Sequence, residues 1–475
     1  MKVLLLNPPN VFRSGDDFYV TFPLGLAYLG SYLESHGIEV RVLDSLAGFE
    51  PPNERSGEFY RVGLRDDEII NQVRRFAPDL IGITCAYTVQ FPPALEIARK
   101  LKQAIRVPII IGGAHCSALP LEVMEYDCFD YVSVGEGEGP LLAVCAHLST
   151  GQPLRDIKGL VRRTPEGIAV NDKVPFDNID RIPRPAHHLF DMGKYINSDY
   201  SHNGFVMRKP YATMITSRGC PLECTFCSVH NIWGRNNRRR DVKSTVDEMQ
   251  HLRDEYGVRE IHFEDDQLVL NKDYFKSLCE EIAARNLDMV WTTPNGVYVN
   301  ALDENALRAA KAAGCYQLAL AVESGSPRVL KDLMKKSVSL DRGRAVTRAM
   351  RQLEMGVYFF FIIGMPGETE EDVLRTIEYA KEVCPDEAYF SIATPYPGTE
   401  LYTTCLERGY IPKNYDVTLL KPTQPLIETE WLSRKRIAEL CAFAYSEWEA
   451  TKKSSRFNEA PDTALSRRGG VYTFA

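Results

Sequence analysis

No apolar run in this 475-residue chain approaches the roughly 20 residues needed to cross a bilayer, which excludes a helical membrane span. A secretory signal is missing as well: Met1 to Leu6 runs straight into Asn7-Pro8-Pro9, so a cytoplasmic location is expected. Basic charge is not in excess. With 56 Lys and Arg against 64 Asp and Glu, the formal net charge is −8, and no broad positive field is available to hold a nucleic-acid backbone. Disorder-prone composition is absent too, since 44% hydrophobic and 25% charged residues are ordinary for two or three domains with sizeable cores. The most informative lack is a fourth cysteine. Thr216 to Ser228 reads TSRGCPLECTFCS, with Cys220, Cys224 and Cys227 close together and no partner thiol following. In a reducing compartment the 12 cysteines argue against a disulfide framework. Cys85, Cys116, Cys128, Cys145, Cys279, Cys315, Cys384, Cys405 and Cys441 lack ligand-like spacing and read mostly as small core residues.

What is present divides the chain. From 1 to 150, Val- and Ile-rich runs (KVLLLN, IEVRVLD, LIGITC, VPIIIGG, DYVSVGEGE) alternate with helical segments such as LGLAYLGSYLESHG, EIINQVRRFAPD and ALEIARKLKQA. That alternation predicts an α/β, doubly wound, Rossmann-like domain with parallel strands. Ligands bind beyond the carboxyl ends of such strands. Four loops there carry candidate contacts: NPP with Pro8; TCAYT with Thr84, Cys85, Ala86 and Tyr87; GGAHCS with Gly112, Gly113 and His115; and GEGEGP with Gly135, Glu136 and Gly137. Turn chemistry alone would explain any one of these loops. Four in order favour a ligand.

Residues 151–208 read as a hairpin around Pro165-Glu166-Gly167 and a proline-broken linker. Over 209–412, YATMITS, EIHFEDD, MVWTTPNG, YQLALAVESGS, VYFFFIIGMPGET and EAYFSIATPYPGT are strand-like, with helices such as STVDEMQHLRDEYG and NALRAAKAAG between them. Six strands predict a partial (β/α)6 barrel, open on one side, with its chemistry at the strands' carboxyl ends. Tyr358, Phe359, Phe360 and Phe361 on the fifth strand are expected in the core rather than on a substrate shelf. Residues 413–475 supply an amphipathic helix, WLSRKRIAELCAFAYSEWEATKK, and a tail to Ala475 expected to lack order.

Three readings of the cysteine spacing compete. Zinc wants a fourth ligand, which His230 could supply, but zinc sites more often pair C-x-x-C elements distant in sequence. An accident of sequence is disfavoured, because three neighbouring thiols invite oxidation. A [4Fe–4S] cluster on three thiolates leaves one iron without a protein ligand, free to chelate an amine and carboxylate. The place directly after the first barrel strand, with Gly219 and Pro221 suited to a sharply turning chain, favours the cluster.

GCPLECTFCS in this place resembles the radical S-adenosylmethionine (SAM) superfamily. The resemblance implies that SAM occupies the open iron and that an electron from the reduced cluster splits it to a 5′-deoxyadenosyl radical. It also implies that Glu323 and Ser324 of AVESGS, Ile363, Gly364 and Glu368 after the fifth strand, Tyr396 and Pro397 after the sixth, and Phe226 between the cysteines surround SAM. Glu264, Asp265, Asp266, Thr293, Pro294 and Asn295 would line the same mouth, although solvated strand ends or a helix N-cap would explain the acidic residues equally well.

The amino-terminal half resembles the cobalamin-binding domain that precedes the barrel in class B radical SAM methyltransferase-like enzymes, and the likeness covers about residues 1–410. One departure stands out: none of the 9 histidines has an aspartate two residues before it, so the Asp-x-His-x-x-Gly arrangement that places histidine on cobalt is missing. The resemblance then makes TCAYT the floor beneath the corrin, with His115 either a corrin or phosphate contact or a core histidine.

The implied reaction is methyl transfer to an unactivated carbon of a small-molecule substrate: one SAM is cleaved, another remethylates cobalamin, and a flavodoxin- or ferredoxin-type protein donates electrons. The run Arg235 to Arg240 could dock such an acidic donor, pair with a carboxylate or, as surface charge usually does, stay a solvated stretch. Cobalamin-dependent cyclisation or oxidative rearrangement, and a non-catalytic cobalamin or iron–sulfur sensor, are the competing functions. Methylthiolation would need a further cluster in the amino-terminal half, where Cys85, Cys116, Cys128 and Cys145 are awkwardly placed for one.

Overall fold

The computed structural model describes residues 1–13, 21–49, 59–198, 201, 205–412, 415 and 420–454. Its strands in the first part of the chain are β1 (Lys2–Asn7), β2 (Asn10–Arg13), β3 (Glu39–Asp44), β4 (Phe59–Val62), β5 (Leu80–Thr84), β6 (Ile109–Gly112), β7 (Tyr131–Ser133), β8 (Leu160–Thr164) and β9 (Gly167–Val170). The helices between them are α1 (Leu24–Glu34), α2 (Asp66–Phe76), α3 (Phe91–Ala104), α4 (Ala114–Ala118), α5 (Pro120–Met124) and α6 (Glu138–Thr150).

Seven of these strands form one sheet in the order β3-β1-β5-β6-β7-β8-β9. The first five are parallel; β1, β5, β6 and β7 are covered on both faces, which is why they read as mainly apolar runs, whereas the edge strand β3 alternates exposed and buried residues. Alternate side chains serve opposite cores. Leu4, Leu6, Ile81, Ile83, Ile109 and Ile111 pack with Val73 of α2 and Ile97 of α3, whereas Val3, Leu5, Leu80 and Ile110 pack with Leu26 and Leu33 of α1 and Val144 of α6. Each such fully buried aliphatic side chain contributes roughly 1.5–3 kcal/mol. The expected hairpin exists, and it extends this sheet: β8 pairs antiparallel with β7, and β9 with β8. Leu160 and Val161 are fully buried there, so apolar burial recruits the hairpin as the sheet's edge.

The remaining strands are β10 (Tyr211–Met214), β11 (Ser217–Arg218), β12 (Arg238–Arg239), β13 (Glu260–Phe263), β14 (Val290–Val297), β15 (Cys315–Glu323), β16 (Gly356–Ile363) and β17 (Glu387–Ile392). Six of them line up in sequence order, β10-β13-β14-β15-β16-β17. The pairs from β14 to β17 are parallel, and among the described residues no pairing joins β17 back to β10, as an open barrel requires. By contacts the chain forms two compact units, Met1–Pro221 with Ser228–Glu260, and Leu222–Cys227 with the chain from Ile261 onward.

The helices of this part are α7 (Gly193–Ile196), α8 (Val242–Tyr256), α9 (Lys272–Arg285), α10 (Glu304–Ala312), α11 (Leu340–Gln352), α12 (Glu370–Val383), α13 (Glu400–Glu407) and α14 (Arg434–Ser454). The expected carboxyl-terminal helix is α14. It is anchored by buried Cys441, Ala444 and Trp448, whose indole N–H donates to the Pro385 carbonyl at 3.1 Å. The expected tail to Ala475 lies outside the described residues. No helix among the described residues is long and apolar enough to cross a membrane.

The aromatic run on β16 divides by strand alternation. Phe359 and Phe361 are fully buried beside Tyr379 of α12, as expected of core residues. Tyr358 and Phe360 point to the other face and are only half-buried, with Tyr389 of β17 at 6.4 Å from Phe360. Core packing therefore accounts for two of the four rings.

Candidate functional site

The cysteine loop starts where β11 ends. Gly219 has φ +90°, and a Cβ there would lie 2.3 Å from the Asn236 carbonyl, so only glycine makes this turn. Cys220 is buried, Cys224 and Cys227 are half-buried, and none of the twelve cysteines forms a disulfide. The middle of the loop is pinned within the second unit. Thr225 donates its N–H to Met334 O at 3.1 Å and its hydroxyl to Leu333 O at 2.8 Å, while Leu401 N–H donates to Thr225 O at 2.9 Å. Phe226 packs against the apolar cluster that includes Leu330, Met334, Ile362 and Met365.

Beside this loop lies a buried ion pair that no sequence motif announces. Lys336 Nζ donates to Glu323 Oε1 at 2.6 Å, and both side chains are nearly inaccessible. Glu323 closes β15 with φ +73°, a conformation that costs a non-glycine residue energy and aims its carboxylate off the strand. Burial alone would lower the Lys336 pKa, but Glu323 and the sulfurs of Cys224 and Cys227 raise it, so the ammonium stays charged. Burial pushes the Cys224 thiol up, with Lys336 pulling the other way. The pair thus places a fixed cation next to two of the three thiols.

The other expected SAM contacts separate into lining and bracing residues. Ser324 is fully buried and shares a hydrogen bond of 3.0 Å with Thr376 of α12, so its hydroxyl braces the strand end. Glu368 is fully buried, and its Oε2 accepts the N–H groups of Gly364 at 2.6 Å and Met365 at 3.0 Å. It shapes the loop around Gly364, where φ is +94°, and burial raises its pKa to about 8. Ile363 and Pro397 are buried and Tyr396 is half-buried, with its carbonyl accepting the Thr399 hydroxyl at 2.7 Å. Across the mouth, Asp265 is buried, Glu264 and Asp266 are half-buried, and Asn295 donates to the Glu264 carbonyl at 2.8 Å. Thr293, next to Pro294, has a buried hydroxyl without a partner.

In the first unit three of the four candidate loops, TCAYT, GGAHCS and GEGEGP, meet at the sheet's carboxyl edge. Cys85 N–H donates to Gly112 O at 2.7 Å, and a Cβ on Gly113, at φ +124°, would lie 2.2 Å from Cys85 O. Gly135 N–H donates to Ser117 Oγ at 2.9 Å, which in turn donates to Gly113 O at 2.8 Å. Ala86 and Tyr87 cap onto the Gln90 side chain, which leaves the Tyr87 ring 52% exposed, while Thr84 is half-buried and Pro8 buried. At the end of β7 the buried Ser133 hydroxyl has no partner, with Gly112 and Gly137 beside it. Small residues around an orphaned hydroxyl form a polar slot that a ligand group could fill.

Two of these residues have surroundings of their own within the first unit, His115 on the lines of its core alternative. His115 is buried with its ring 4.3 Å from Phe91, and burial lowers its pKa to about 4, so it sits as a neutral core histidine. Glu136 keeps its carboxylate for Arg218 and Arg238, which leaves only its backbone to face a ligand. In the arginine run the carboxylate-pairing alternative holds for two members: Arg238 pairs with Glu136 and Arg240 with Glu248 at 2.6 Å, both largely buried. Ser133 and Lys336 were missed because a lone serine in DYVSV and a lysine in MKKS carry no spacing signal.

By the chemistry of its donors, three closely spaced thiols with a cation beside two of them, the loop suits an iron–sulfur cluster. Among the described residues no three His, Cys, Asp or Glu side chains form a single-ion site.

Known proteins agree with this arrangement. The B12 binding domain family matches residues 17–145 and the radical SAM superfamily residues 214–380. Cytidylyl-2-hydroxyethylphosphonate methyltransferase of Streptomyces wedmorensis is 33% identical over 93% of this chain and 88% of its own length. An uncharacterized methyltransferase of Pyrococcus horikoshii is 31% identical over 94% of this chain and 92% of its own. The fold is that of the radical SAM methyltransferase TsrM from Kitasatospora setae, solved with tryptophan substrate and a SAM analogue: TM-score 0.68, 21% identity, over 87% of this chain and 79% of that one. A cobalamin-binding domain followed by a barrel that uses a [4Fe–4S] cluster and SAM therefore makes up this chain, which belongs to the cobalamin-dependent radical SAM methyltransferases.

Proposed function

We propose that this enzyme methylates an unactivated carbon of a small-molecule substrate in the cytoplasm, drawing electrons from a flavodoxin- or ferredoxin-type donor. The observation that carries the residue assignment is the buried Lys336–Glu323 pair beside Cys224 and Cys227, because a fixed cation and carboxylate next to an open iron suit a ligand with both an amine and a carboxylate. On this reading Cys220, Cys224 and Cys227 hold the cluster, Glu323 and Lys336 orient the methionyl and ribose groups of SAM, and Phe226, Ile363, Gly364, Tyr396 and Pro397 enclose its adenine. Ser324 and Glu368 act one step back, by holding the backbone of those walls.

Cobalamin would rest on the loops around Pro8, Thr84 to Tyr87, Gly112 and Gly113, and Gly135 to Gly137, with the Ser133 hydroxyl donating to its nucleotide tail. No histidine is offered below cobalt on this reading, since His115 is turned into the core. When bound, the cluster with SAM supplies hydrogen abstraction from carbon, and cobalamin supplies the methyl group. The chain's own part is to hold these groups still and exclude water.

The test is anaerobic reconstitution with iron, sulfide and hydroxocobalamin, followed by turnover with SAM and a reductant on candidate small molecules, beginning with nucleotidyl phosphonates such as the S. wedmorensis relative's namesake. Methyl transfer predicts 5′-deoxyadenosine, S-adenosylhomocysteine and a product heavier by one CH2. A product without that gain would move the reading to cyclisation or rearrangement. In Cys224→Ala, an intact cubane absorption would remove Cys224 from the ligand set.

A further inference from the structure

The buried ion network in the first unit is larger than its fold requires, and it connects two loops with different tasks. Arg218 ends β11, two residues before Cys220. It is 3% exposed, and its two terminal nitrogens go to different carboxylates: Nη1 to Glu136 Oε2 at 3.1 Å and Nη2 to Glu138 Oε1 at 2.8 Å. One carboxylate would satisfy its charge; two fix the plane of the guanidinium. Aromatic faces hold it further, with Tyr28 at 5.1 Å and Trp233 at 4.7 Å from the guanidinium carbon. The other oxygen of Glu136 takes Arg238 from β12. Arg238 in turn donates to Phe176 O at 2.9 Å and Trp233 O at 2.8 Å.

Arg218 and Arg238 are register partners in the two-residue ribbon of β11 and β12, so both strands send an arginine to the same glutamate. Two strands of two residues have no stability of their own. What places this ribbon is the network, and what leaves the ribbon is the turn into Cys220: Asn237 Nδ2 donates to Gly219 O at 3.0 Å. Two arginines and two glutamates balance, so the network adds no net charge near the cysteines. Its effect has to be positional.

We propose that Arg218 is a positioning residue that ties the loop Gly135–Glu138 to Cys220, so that the cobalamin-facing loop and the first cluster ligand are held in one register. The proposal rests on the reading that Cys220 ligates the cluster and that this loop faces cobalamin.

The test uses the full-length chain with Arg218→Lys, which keeps the charge but loses the planar fork that fixes the directions of the two carboxylates, and Glu138→Gln as the milder change. Glu248→Gln, which breaks the neighbouring Arg240 pair and leaves the carboxylate partners of Arg218 and Arg238 in place, controls for general loss of stability, Arg240 itself touching the network at Tyr28 Oη at 3.3 Å. Each protein is reconstituted anaerobically. Iron content, the EPR spectrum of the reduced cluster with and without SAM, and hydroxocobalamin affinity by visible absorption are then measured.

The expected result is that Arg218→Lys binds cobalamin at least tenfold more weakly and shows a broadened cluster spectrum, with Glu138→Gln shifting both in the same direction by less. Glu248→Gln should lower the melting temperature and leave both unchanged. A wild-type spectrum and wild-type cobalamin affinity in Arg218→Lys would overturn the proposal, as would equal changes in Glu248→Gln. If Arg218→Lys does not fold, the decision falls to Glu138→Gln, where an unchanged spectrum and affinity overturn the proposal. Wild-type protein that takes up neither cluster nor cobalamin would instead refute the site assignment on which the proposal rests.

Discussion

Two glycine-rich loops in this chain look alike in sequence and use their glutamates in opposite ways. VGEGEG follows β7 and GMPGE follows β16; each ends a parallel strand and each leads into a helix. In the first, Glu136 and Glu138 pair with buried arginines; burial pushes the Glu136 pKa up, and the arginines pull it down by less. In the second, Glu368 makes no ion pair among the described residues; its Oε2 accepts two backbone N–H groups, and burial raises its pKa to about 8 with Arg328 pulling weakly the other way. A buried carboxylate must either find a counter-charge or give up its own. The first loop braces itself by charge, the second by a carboxyl group that is largely neutral near pH 7.

Removing charge should therefore hurt the first loop most. Glu136→Ala leaves Arg238 without its carboxylate and Arg218 with half its partners, at an expected cost of about 3–5 kcal/mol in urea unfolding. A loss below about 1 kcal/mol would show that water already reaches the arginines and that the contrast between the loops is false. Lys336→Met tests the same rule in the second unit, by stranding the Glu323 carboxylate at a comparable cost of about 3–5 kcal/mol. It should also weaken SAM binding in equilibrium dialysis while the iron content holds; unchanged affinity would make Lys336 purely structural.

Acid and base should separate the two units. Glu368 has a folded pKa of about 8 against an ordinary 4.5, so its contribution to stability is complete below 4.5 and is lost as pH rises to about 8. His115 at about 4 and His187 at about 3 are held below their ordinary 6.5 by burial, so their contribution is present above 6.5 and is lost as pH falls toward those values. Glu368→Gln keeps an acceptor for Gly364 and Met365 and removes the titration. It should flatten the alkaline decline of the melting temperature and leave the acid limb untouched; an unaltered alkaline limb would assign that decline to other groups.

How far the sequence foretold this depends on the physical signal. Strand and helix order was legible because β1, β5 and β6 are uniformly apolar and the helices between them are amphipathic, and the thiol spacing carried its own chemistry. Lys336 was not legible. A lysine second in the polar run Lys335-Lys336-Ser337 reads as solvated until Glu323, 13 residues earlier, is seen against it. The fates of Glu136 and Glu368 were hidden for the same reason, since both stand in glycine-rich loops and only long-range partners distinguish them. Arg238 and Arg240 show the limit from the other side: a run of surface-like arginines turned out to hold two buried ones.

The smallest expected effect tests how each loop hands over to its helix. Thr369 caps α12, with its hydroxyl accepting Asp372 N–H and donating to the Asp372 carboxylate, whereas α6 starts at Gly137 with no side-chain cap. Thr369→Ala should cost about 1 kcal/mol, the usual value of a lost N-cap. Because Asp372 also pairs with Arg328, which donates to Gly367 O at 2.9 Å in the same loop, part of that loss should appear as looser packing around Glu368. Amide exchange at Gly364 and Met365 is the measurement. Faster exchange there in Thr369→Ala would show that the second loop is braced through its helix cap. Exchange at the wild-type rate would leave Glu368 as sufficient on its own, and would place the whole difference between the two loops in their glutamates.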